Sequence, residues 1–309
     1  MKKITYLFAA GLFSLAFLVL GLNSPTFAEE NKTISISPAI ERITLEPGES
    51  RTSSFRVSNS GEAGFKYKIT VEPYQVTDYD YNVLSDVENS YTKIVDWIIL
   101  SQESGYLDPG ESAEIYYTIN TPSDVPAGGQ YAVLKAAFVN NSGGTINVSG
   151  AVGEIIYATV NGATRTTGHI VENKITGFSF NPPITASTIV ENAGNVDAEL
   201  KSSLRITSFF TGKEAYSNVE NPQSTIILPE TKRNVKTFWE GSPRLGVFKV
   251  ELKTSFIDET QTIVKTVVIC PVWLIFLVLL AITAVVLKVV ISSKKKSRRR
   301  SGVTSKFSL

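Results

Sequence analysis

The stretch Phe65-Lys66-Tyr67-Lys68-Ile69-Thr70-Val71-Glu72 alternates apolar and polar residues along its whole length. Successive side chains of a β-strand point to opposite faces, so this pattern predicts a strand with one buried face. Residues 113–119 and 248–253 repeat the alternation, and turn sequences such as Asp108-Pro109-Gly110 separate the runs. Because no long helical period appears between residues 29 and 265, we predict an all-β class for this region.

Two short motifs recur in the same order, which indicates a tandem repeat. Val57-Ser58-Asn59-Ser60-Gly61 and Val190-Glu191-Asn192-Ala193-Gly194 share a V-x-N-x-G pattern. Leu45-Glu46-Pro47-Gly48-Glu49-Ser50 returns as Leu107-Asp108-Pro109-Gly110-Glu111-Ser112, with a degenerate copy at Leu228-Pro229-Glu230-Thr231. A Pro-Gly turn reverses the chain at the mouth of a strand, so the two halves are predicted to share one topology.

The predicted fold is therefore all-β, with two tandem immunoglobulin-like β-sandwiches and one C-terminal transmembrane helix. The first sandwich is assigned to residues 29–165 and the second to 166–265, with the Thr- and Gly-rich stretch 162–168 as their junction. The chain has one Cys and one His, which excludes a disulfide framework and a Cys/His zinc site. Each sandwich must then be stabilised by core packing alone.

The N-terminus has the features of a secretory signal peptide, predicted over residues 1–28. Lys2 and Lys3 precede an apolar stretch from residue 7 to residue 22. Pro25 and the small residue Ala28 come before the acidic Glu29, which predicts cleavage between Ala28 and Glu29. An uncleaved N-terminal anchor is the alternative.

The C-terminal region predicts a transmembrane helix over residues 266–291 and a basic cytoplasmic tail over 292–309. Residues 266–287 are uncharged, and at about 1.5 Å per residue they would cross a bilayer core. Trp273 suits the headgroup layer, and a cluster of Lys and Arg follows from Lys294 to Arg300. A buried core helix, or a nucleic-acid or nuclear-import signal in the basic run, is disfavoured by this arrangement. We therefore predict a single-pass plasma-membrane protein with its bulk outside the cell.

The distribution of acidic and basic residues along the chain indicates which classes of ligand the first domain can bind. Residues 29–165 carry 18 acidic and 9 basic residues, whereas residues 166–265 carry 11 of each. An acidic outer domain repels nucleic acid and anionic wall polymers, so we predict no nucleic-acid partner. A neutral glycan or a basic protein is a better match for this acidic domain than an anionic polymer.

An acidic loop is a candidate cation site. Asp78, Asp80, Asn82 and Asp86 resemble the opening of a calcium-binding loop in their spacing. Val83 stands where that loop needs Gly, and no flanking helices are predicted. A solvated loop is the simpler interpretation. We predict no cofactor and no catalytic residue, and the lone His169 cannot form a metal site by itself.

A cluster of tyrosines in the insertion 73–93 is the candidate ligand-binding site: Tyr74, Tyr79, Tyr81 and Tyr91. A tyrosine ring offers a flat apolar face and a hydroxyl, which suits stacking on sugars or anchoring a protein partner. The alternative is that these residues simply favour strands. Trp97 and Trp239 are predicted to be core residues, because both lie in or beside apolar strand-like runs.

The order of these segments resembles the WxL-interacting proteins of Gram-positive cell surfaces. The resemblance is carried by residues 71–82, Leu107–Ser112, Ile119-Asn120-Thr121-Pro122 and Pro126-Ala127-Gly128-Gly129-Gln130-Tyr131. It implies a peptidoglycan-binding first domain and a second domain that binds a WxL-type surface protein. Val83 replaces a Gly of the family pattern, and the second domain is somewhat short. No contact residue is carried over from the family.

The sequence thus favours a membrane-anchored extracellular binding protein with no enzymatic activity. Its expected partners are cell-wall glycan (peptidoglycan), a WxL-type surface protein, or both. A structural adhesion stalk or scaffold without a discrete site is the main alternative. An exported glycan hydrolase would need two suitably placed carboxyl groups, and no motif places such a pair.

Overall fold

The computed structural model describes residues 32–77, 82–84, 88–142 and 145–301. The predicted signal peptide and its cleavage site, Ala28-Glu29, lie outside these residues. The described chain forms two β-sandwiches followed by one long helix.

The first sandwich consists of two antiparallel-rich sheets with strand orders β1-β3-β9-β7 and β2-β11-β10-β4-β8. A separate hairpin, β5–β6, and a short 3-10 helix, Lys93–Trp97, lie in the insertion after β4. The strands are β1 Ile34–Ser37, β2 Ile40–Leu45, β3 Ser50–Asn59, β4 Phe65–Pro73, β5 Gln75–Thr77, β6 Asn82–Leu84, β7 Ile98–Leu100, β8 Ser104–Leu107, β9 Ser112–Asn120, β10 Gly128–Ser142 and β11 Thr145–Val160.

The second sandwich pairs a three-stranded sheet, β12-β14-β18, with a six-stranded sheet. The larger sheet has the order β13-β20-β19-β15-β16, and β17 also pairs with β15. The strands are β12 Gly168–Ile175, β13 Phe178–Ser179, β14 Ile184–Asn192, β15 Ala198–Ser208, β16 Glu214–Ser217, β17 Gln223–Ile227, β18 Thr231–Trp239, β19 Gly246–Phe256 and β20 Glu259–Ile269.

The two sandwiches share one topology, which confirms the predicted fold class. In each, the first strand pairs antiparallel with the third strand of that sandwich, within the smaller sheet, as β1 with β3 and β12 with β14. In each, a short strand lies parallel to the last long strand, as β2 with β11 and β13 with β20. The remaining pairs are antiparallel.

Alternation along the strands creates the cores. In β4, Phe65, Tyr67 and Ile69 are buried whereas Lys66 and Lys68 are exposed, as the pattern predicted. A continuous apolar cluster fills the first sandwich, and two clusters fill the second. Trp97 belongs to the first core, and Trp239 packs against the second, where its ring stacks on Tyr216 and meets Phe248 edge-on.

The repeated V-x-N-x-G motif folds in the same way in both sandwiches. The buried Asn59 side chain donates hydrogen bonds to the carbonyls of Ala63 and Leu107, and its oxygen accepts one from the Gly61 amide. Asn192 repeats this pattern in the second sandwich. Each asparagine therefore joins the turn after one strand to the turn that precedes another.

The L-x-P-G motif supplies turns that need a left-handed residue. Gly48 and Gly110 have φ angles of 81° and 79°, a region that glycine enters without steric cost. In the third copy the equivalent residue is Glu230, with a φ of 54°. A side chain in this conformation costs roughly 1–2 kcal/mol, so an interaction elsewhere must offset it.

The C-terminal helix, α1, spans Val272–Ser301, and its segment Val272–Ser293 is long and apolar enough to cross a membrane. The predicted span began at Thr266, which differs from the structure because β20 continues to Ile269. Val267 and Ile269 are buried in the sheet, and the helix starts only after Pro271. Hydropathy alone does not separate a buried strand end from the helix that follows it. The cytoplasmic tail was predicted to start at residue 292, which lies within helix α1 because the helix continues to Ser301.

Candidate binding groove at the joint between the sandwiches

The two sandwiches meet through an aromatic cluster. Tyr74, Tyr131 and Tyr157 of the first sandwich are buried together with Leu228 of the second. The ring of Tyr157 lies 5.9 Å from that of Tyr74 and 5.7 Å from that of Tyr131, both edge-on. Edge-to-face pairs of this kind add stability beyond simple area burial. We refer to this contact region as the joint.

Asp197 of the second sandwich provides the charged part of the joint. Its buried carboxylate accepts a hydrogen bond of 2.8 Å from Arg42 and one of 3.2 Å from the hydroxyl of Tyr131. The guanidinium of Arg42 also lies 4.9 Å from the centre of the Tyr157 ring. Burial, with the nearby charge of Asp197, raises the pKa of Tyr131 far above its usual value, so this phenol remains a donor.

Hydrogen bonds to backbone carbonyls also join the two sandwiches. The amide of Gly129 donates to the carbonyl of Asn195 at 2.7 Å, and the Asn195 side chain donates to the carbonyl of Ala127 at 3.0 Å. Gly128 has a φ of 144°, and a Cβ at this position would lie 2.8 Å from the Asn195 carbonyl oxygen. The close approach of the two sandwiches thus requires glycine at 128.

Tyr91 and Glu230 form a further link. The hydroxyl of Tyr91 interacts with the Glu230 carboxylate, and burial together with this interaction raises the pKa of Tyr91 to about 12. The backbone carbonyl of Tyr91 accepts a hydrogen bond of 2.7 Å from the Tyr131 amide. The strained Glu230 therefore faces the other sandwich, where its carboxylate has a partner.

A groove of about 600 Å³ opens beside the joint. Its lining is mostly apolar and includes one tyrosine, one tryptophan and a turn with two prolines. The lining residues are Ser90, Tyr91, Lys93, Trp97, Pro122, Asp124, Val125, Pro126, Ala127, Gly128, Gly129, Gln130 and Asn195. Lys93 and Asp124 are its charged residues, and both are exposed. A groove with an apolar lining and few polar groups is typical of a ligand site.

Gln130 holds one wall of this groove in place. Its buried side chain accepts a hydrogen bond of 3.1 Å from the Ile94 amide and donates one of 2.8 Å to the Ser90 carbonyl. The segment that carries Tyr91 and Trp97 is thus tied to strand β10. A wall fixed in this way loses little conformational entropy when a ligand binds.

The structure describes two of the four tyrosines of the predicted site, and both contact the aromatic cluster of the joint. Tyr74 is buried in the joint, whereas Tyr91 lines the groove. Tyr79 and Tyr81 lie outside the described residues, and so do the cation candidates Asp78, Asp80 and Asp86. Asn82 is described only as the first residue of β6, paired with Thr77.

Other groove residues carried no functional prediction. Trp97 was assigned to the core, and it is buried there while also lining the groove. Val125 and Asn195 had no assignment, because a groove formed by two domains leaves no local pattern in sequence. The pair Gly128-Gly129 was the available signal, since adjacent glycines often mark a close backbone approach.

A buried carboxyl group lies away from the groove. Glu154 is fully buried on the core face of β11, and neither of its carboxyl oxygens has a hydrogen-bond partner within the described chain. Burial, and secondarily the charge of Glu41, raises the pKa of Glu154 to about 8. Glu41 accepts hydrogen bonds from Tyr117 and Ser53. Glu154 lies in the core and Glu41 is half-buried, and neither carboxyl group lines the groove.

Comparisons with known proteins give matches in structure only. No protein-family model matches the sequence, and no curated protein matches it. The class 5 fimbriae chaperone CfaA is similar at 14% identity, over 76% of this chain and 99% of that one, with a TM-score of 0.35. The Pseudomonas aeruginosa CupB2 chaperone is similar at 10% identity, over 75% and 99%, with a TM-score of 0.36. A Salmonella enterica SafA pilin in complex with the SafB chaperone is similar at 15% identity, over 78% and 99%, with a TM-score of 0.35. These likenesses concern the fold alone.

Proposed function

We propose that the chain is a membrane-anchored, non-enzymatic binding protein of the cell surface, and that its groove binds neutral cell-wall glycan. The observation that carries this proposal is the groove itself, which places Tyr91 and Trp97 beside an apolar turn and has little charge. Sugar rings present apolar faces and hydroxyl groups, which match aromatic side chains and the backbone groups of residues 126–129. The acidic first sandwich favours a neutral glycan over an anionic polymer.

The anchor in this proposal is helix α1. Its side chains from Phe276 to Ser293 are exposed, as expected for a helix that contacts lipid. Lys and Arg from Lys294 onward would lie on the cytoplasmic side, which leaves both sandwiches outside the cell. This arrangement also agrees with the resemblance to WxL-interacting proteins, in which we include the chain as a proposal.

A surface protein of the WxL type is the second candidate partner. The edge of the smaller sheet favours it, since β18 is the last strand in the order β12-β14-β18. The exposed backbone groups of an edge strand can pair with an extended segment of another protein. Lys236 and Phe238 are exposed on β18 and would offer one charged and one aromatic contact.

The position of Glu154 argues against glycan hydrolysis at the Glu41–Glu154 pair. A glycosidase needs two carboxyl groups on either side of an accessible glycosidic bond. Glu154 is fully buried in the core of the first sandwich, where a sugar cannot reach it. A raised pKa thus reflects burial here and does not indicate a catalytic acid.

The test is sedimentation of the full chain, in detergent, with purified peptidoglycan. Tyr91→Leu removes the aromatic face and should weaken binding roughly fivefold, since one ring contact is worth about 1 kcal/mol. Tyr91→Phe keeps the ring, loses only the interaction of its hydroxyl with Glu230, and should bind within about twofold of the natural chain. Tyr116→Leu changes an exposed tyrosine of β9 and is the matched control.

Equal binding by the natural chain and Tyr91→Leu would exclude the groove as the glycan site. Loss of binding by Tyr116→Leu alone would move the site to the β9 face. If every single variant binds equally, a stalk or scaffold with diffuse contacts is the better description.

A further inference from the structure

We propose that one end of the second sandwich inserts exposed phenylalanine side chains into the headgroup layer of the bilayer that α1 crosses. This inference goes beyond the proposed function, because it gives the second sandwich a membrane-binding surface of its own. It rests on the proposed span of α1, and the experiment below separates the two.

The strand register brings several loops to the same end of the sandwich as the start of α1. Gly246, the first residue of β19, pairs with Ile269, the last residue of β20. Phe248 pairs with Ser208, so the β15–β16 turn also lies at this end. Ser179 pairs with Ile269, which adds the segment after β13. We call this end the helix-proximal end.

The helix-proximal end exposes an unusual number of large apolar side chains. Phe210 and Phe209 are 81% and 55% exposed at the β15–β16 turn. Phe178 and Phe180 flank the end of β13, and Leu245 precedes β19; all three are exposed. The phenylalanines form two edge-on pairs, with ring centres 5.5 Å and 5.0 Å apart. Exposed aromatic groups in one place are costly in water and indicate a contact surface.

The short connection to the helix identifies the bilayer as the occupant of this surface. Only Cys270 and Pro271 separate β20 from α1, and two residues reach at most about 7 Å. The Cys270 amide bonds to the Ser179 carbonyl at 3.0 Å, so the connection is held against β13. The headgroup layer is itself roughly 5–8 Å thick on each side of the hydrocarbon core. Loops at this end are therefore held at the depth of the headgroups.

The chemistry of these loops suits that layer. Aromatic rings concentrate at membrane interfaces, and Trp273 in the first turn of α1 is exposed at the same level. Lys213 and Arg244 are exposed in the same loops and can meet lipid phosphates, with Glu240 as the opposing charge. A protein partner would need to share this space with the bilayer. The continuity with α1 thus favours lipid.

The experiment measures the depth of spin labels on the full chain in vesicles of phosphatidylcholine and phosphatidylglycerol. A nitroxide is attached at Phe210→Cys in a Cys270→Ser background, and its collisions with oxygen and with a water-soluble nickel chelate are compared. The matched control is Asp258→Cys, in the exposed turn at the opposite end of β19 and β20, about 35 Å away. Ile282→Cys, near the middle of α1, reports whether the helix crosses the bilayer.

We expect the label at 210 to show a several-fold higher ratio of oxygen to nickel collisions than the label at 258. A ratio at 210 equal to that at 258, with a high ratio at 282, would overturn this inference and leave the span intact. Low collision rates with both reagents at 210 would indicate a protein contact and would also overturn it. A low ratio at 282 would remove the span and this inference with it.

Discussion

The hydroxyl of Tyr91 and the carboxylate of Glu230 interact across the joint, where both residues line one small cavity. Glu230 is the residue that replaces glycine in the third L-x-P-G turn. The two equivalent turns keep Gly48 and Gly110 at this position. The second sandwich thus accepts backbone strain at the one copy of the turn that faces the first sandwich. The cost of that strain is offset, at least in part, by the interaction with the groove residue Tyr91.

The substitution Glu230→Gly should measure both the backbone strain at residue 230 and the interaction of its side chain with Tyr91. In a Tyr91→Phe background the interaction between the Tyr91 hydroxyl and Glu230 is already absent, so the glycine should stabilise the chain by about 1 kcal/mol through relief of strain. In the natural background the same substitution should stabilise the chain less, because it also removes that interaction. Urea unfolding of the four chains measures the difference as a coupling free energy. An identical effect in both backgrounds would show that Tyr91 and Glu230 are not coupled.

Glu154→Gln should change how stability depends on pH. The folded-state pKa of about 8 lies above the usual 4.5, so the folded chain retains a proton that the unfolded chain has lost. The free energy of unfolding of the natural chain should therefore fall by about 1.4 kcal/mol per pH unit between 4.5 and 8, from this group alone. The glutamine variant lacks this slope, so it should exceed the natural chain in stability at pH 8.

Urea unfolding at pH 5, 6.5 and 8 provides the measurement for that prediction. Glu62→Gln, at an exposed position in the first sandwich, is the matched control and should keep the slope of the natural chain. Parallel curves for Glu154→Gln and the natural chain would mean that Glu154 is ionised in the folded state.

Asn59→Ala and Asn192→Ala should destabilise their sandwiches by similar amounts. Each substitution removes two side-chain bonds to buried carbonyls and one bond to a glycine amide. A buried carbonyl left without a partner costs about 1–3 kcal/mol, so the loss of two should destabilise the sandwich by roughly 2–6 kcal/mol. Thermal unfolding monitored by circular dichroism tests this. A loss below 0.5 kcal/mol at either position, on the order of a surface change, would contradict the equivalence.

Gly128→Ala should open the joint and weaken glycan binding. The new Cβ would come 2.8 Å from the Asn195 carbonyl oxygen, which displaces a backbone contact between the sandwiches. Gly110→Ala is the matched control, because its left-handed φ is similarly demanding but no atom lies within 4 Å of the added Cβ. We expect faster proteolysis near residues 162–168 for the first variant only. Equal proteolysis of both variants would show that the joint tolerates the displacement.

Much of the fold followed from local patterns. Alternation in β4 predicted which side chains are buried, since a strand has a period of two and one face meets the core. The recurrence of V-x-N-x-G predicted a repeated topology, and the structure shows why the asparagine is needed in each copy. The end of β20 was assigned to the helix, because β-branched apolar residues suit a buried strand and a membrane span equally.

The candidate site depended on contacts that no local pattern contains. Tyr74 and Tyr91 belong to one tyrosine-rich insertion, yet the structure buries the first in the joint and places the second in the groove. The two tyrosines differ in burial because residues far along the chain contact different parts of that insertion. Leu228 packs in the cluster that buries Tyr74, whereas Glu230 interacts with Tyr91. By itself the sequence determined the strands, the repeat and the apolar helix, because each depends on neighbours within a few residues. Only the tertiary structure decided which rings are buried and which line a groove, because that choice is made by the packing of one sandwich on the other.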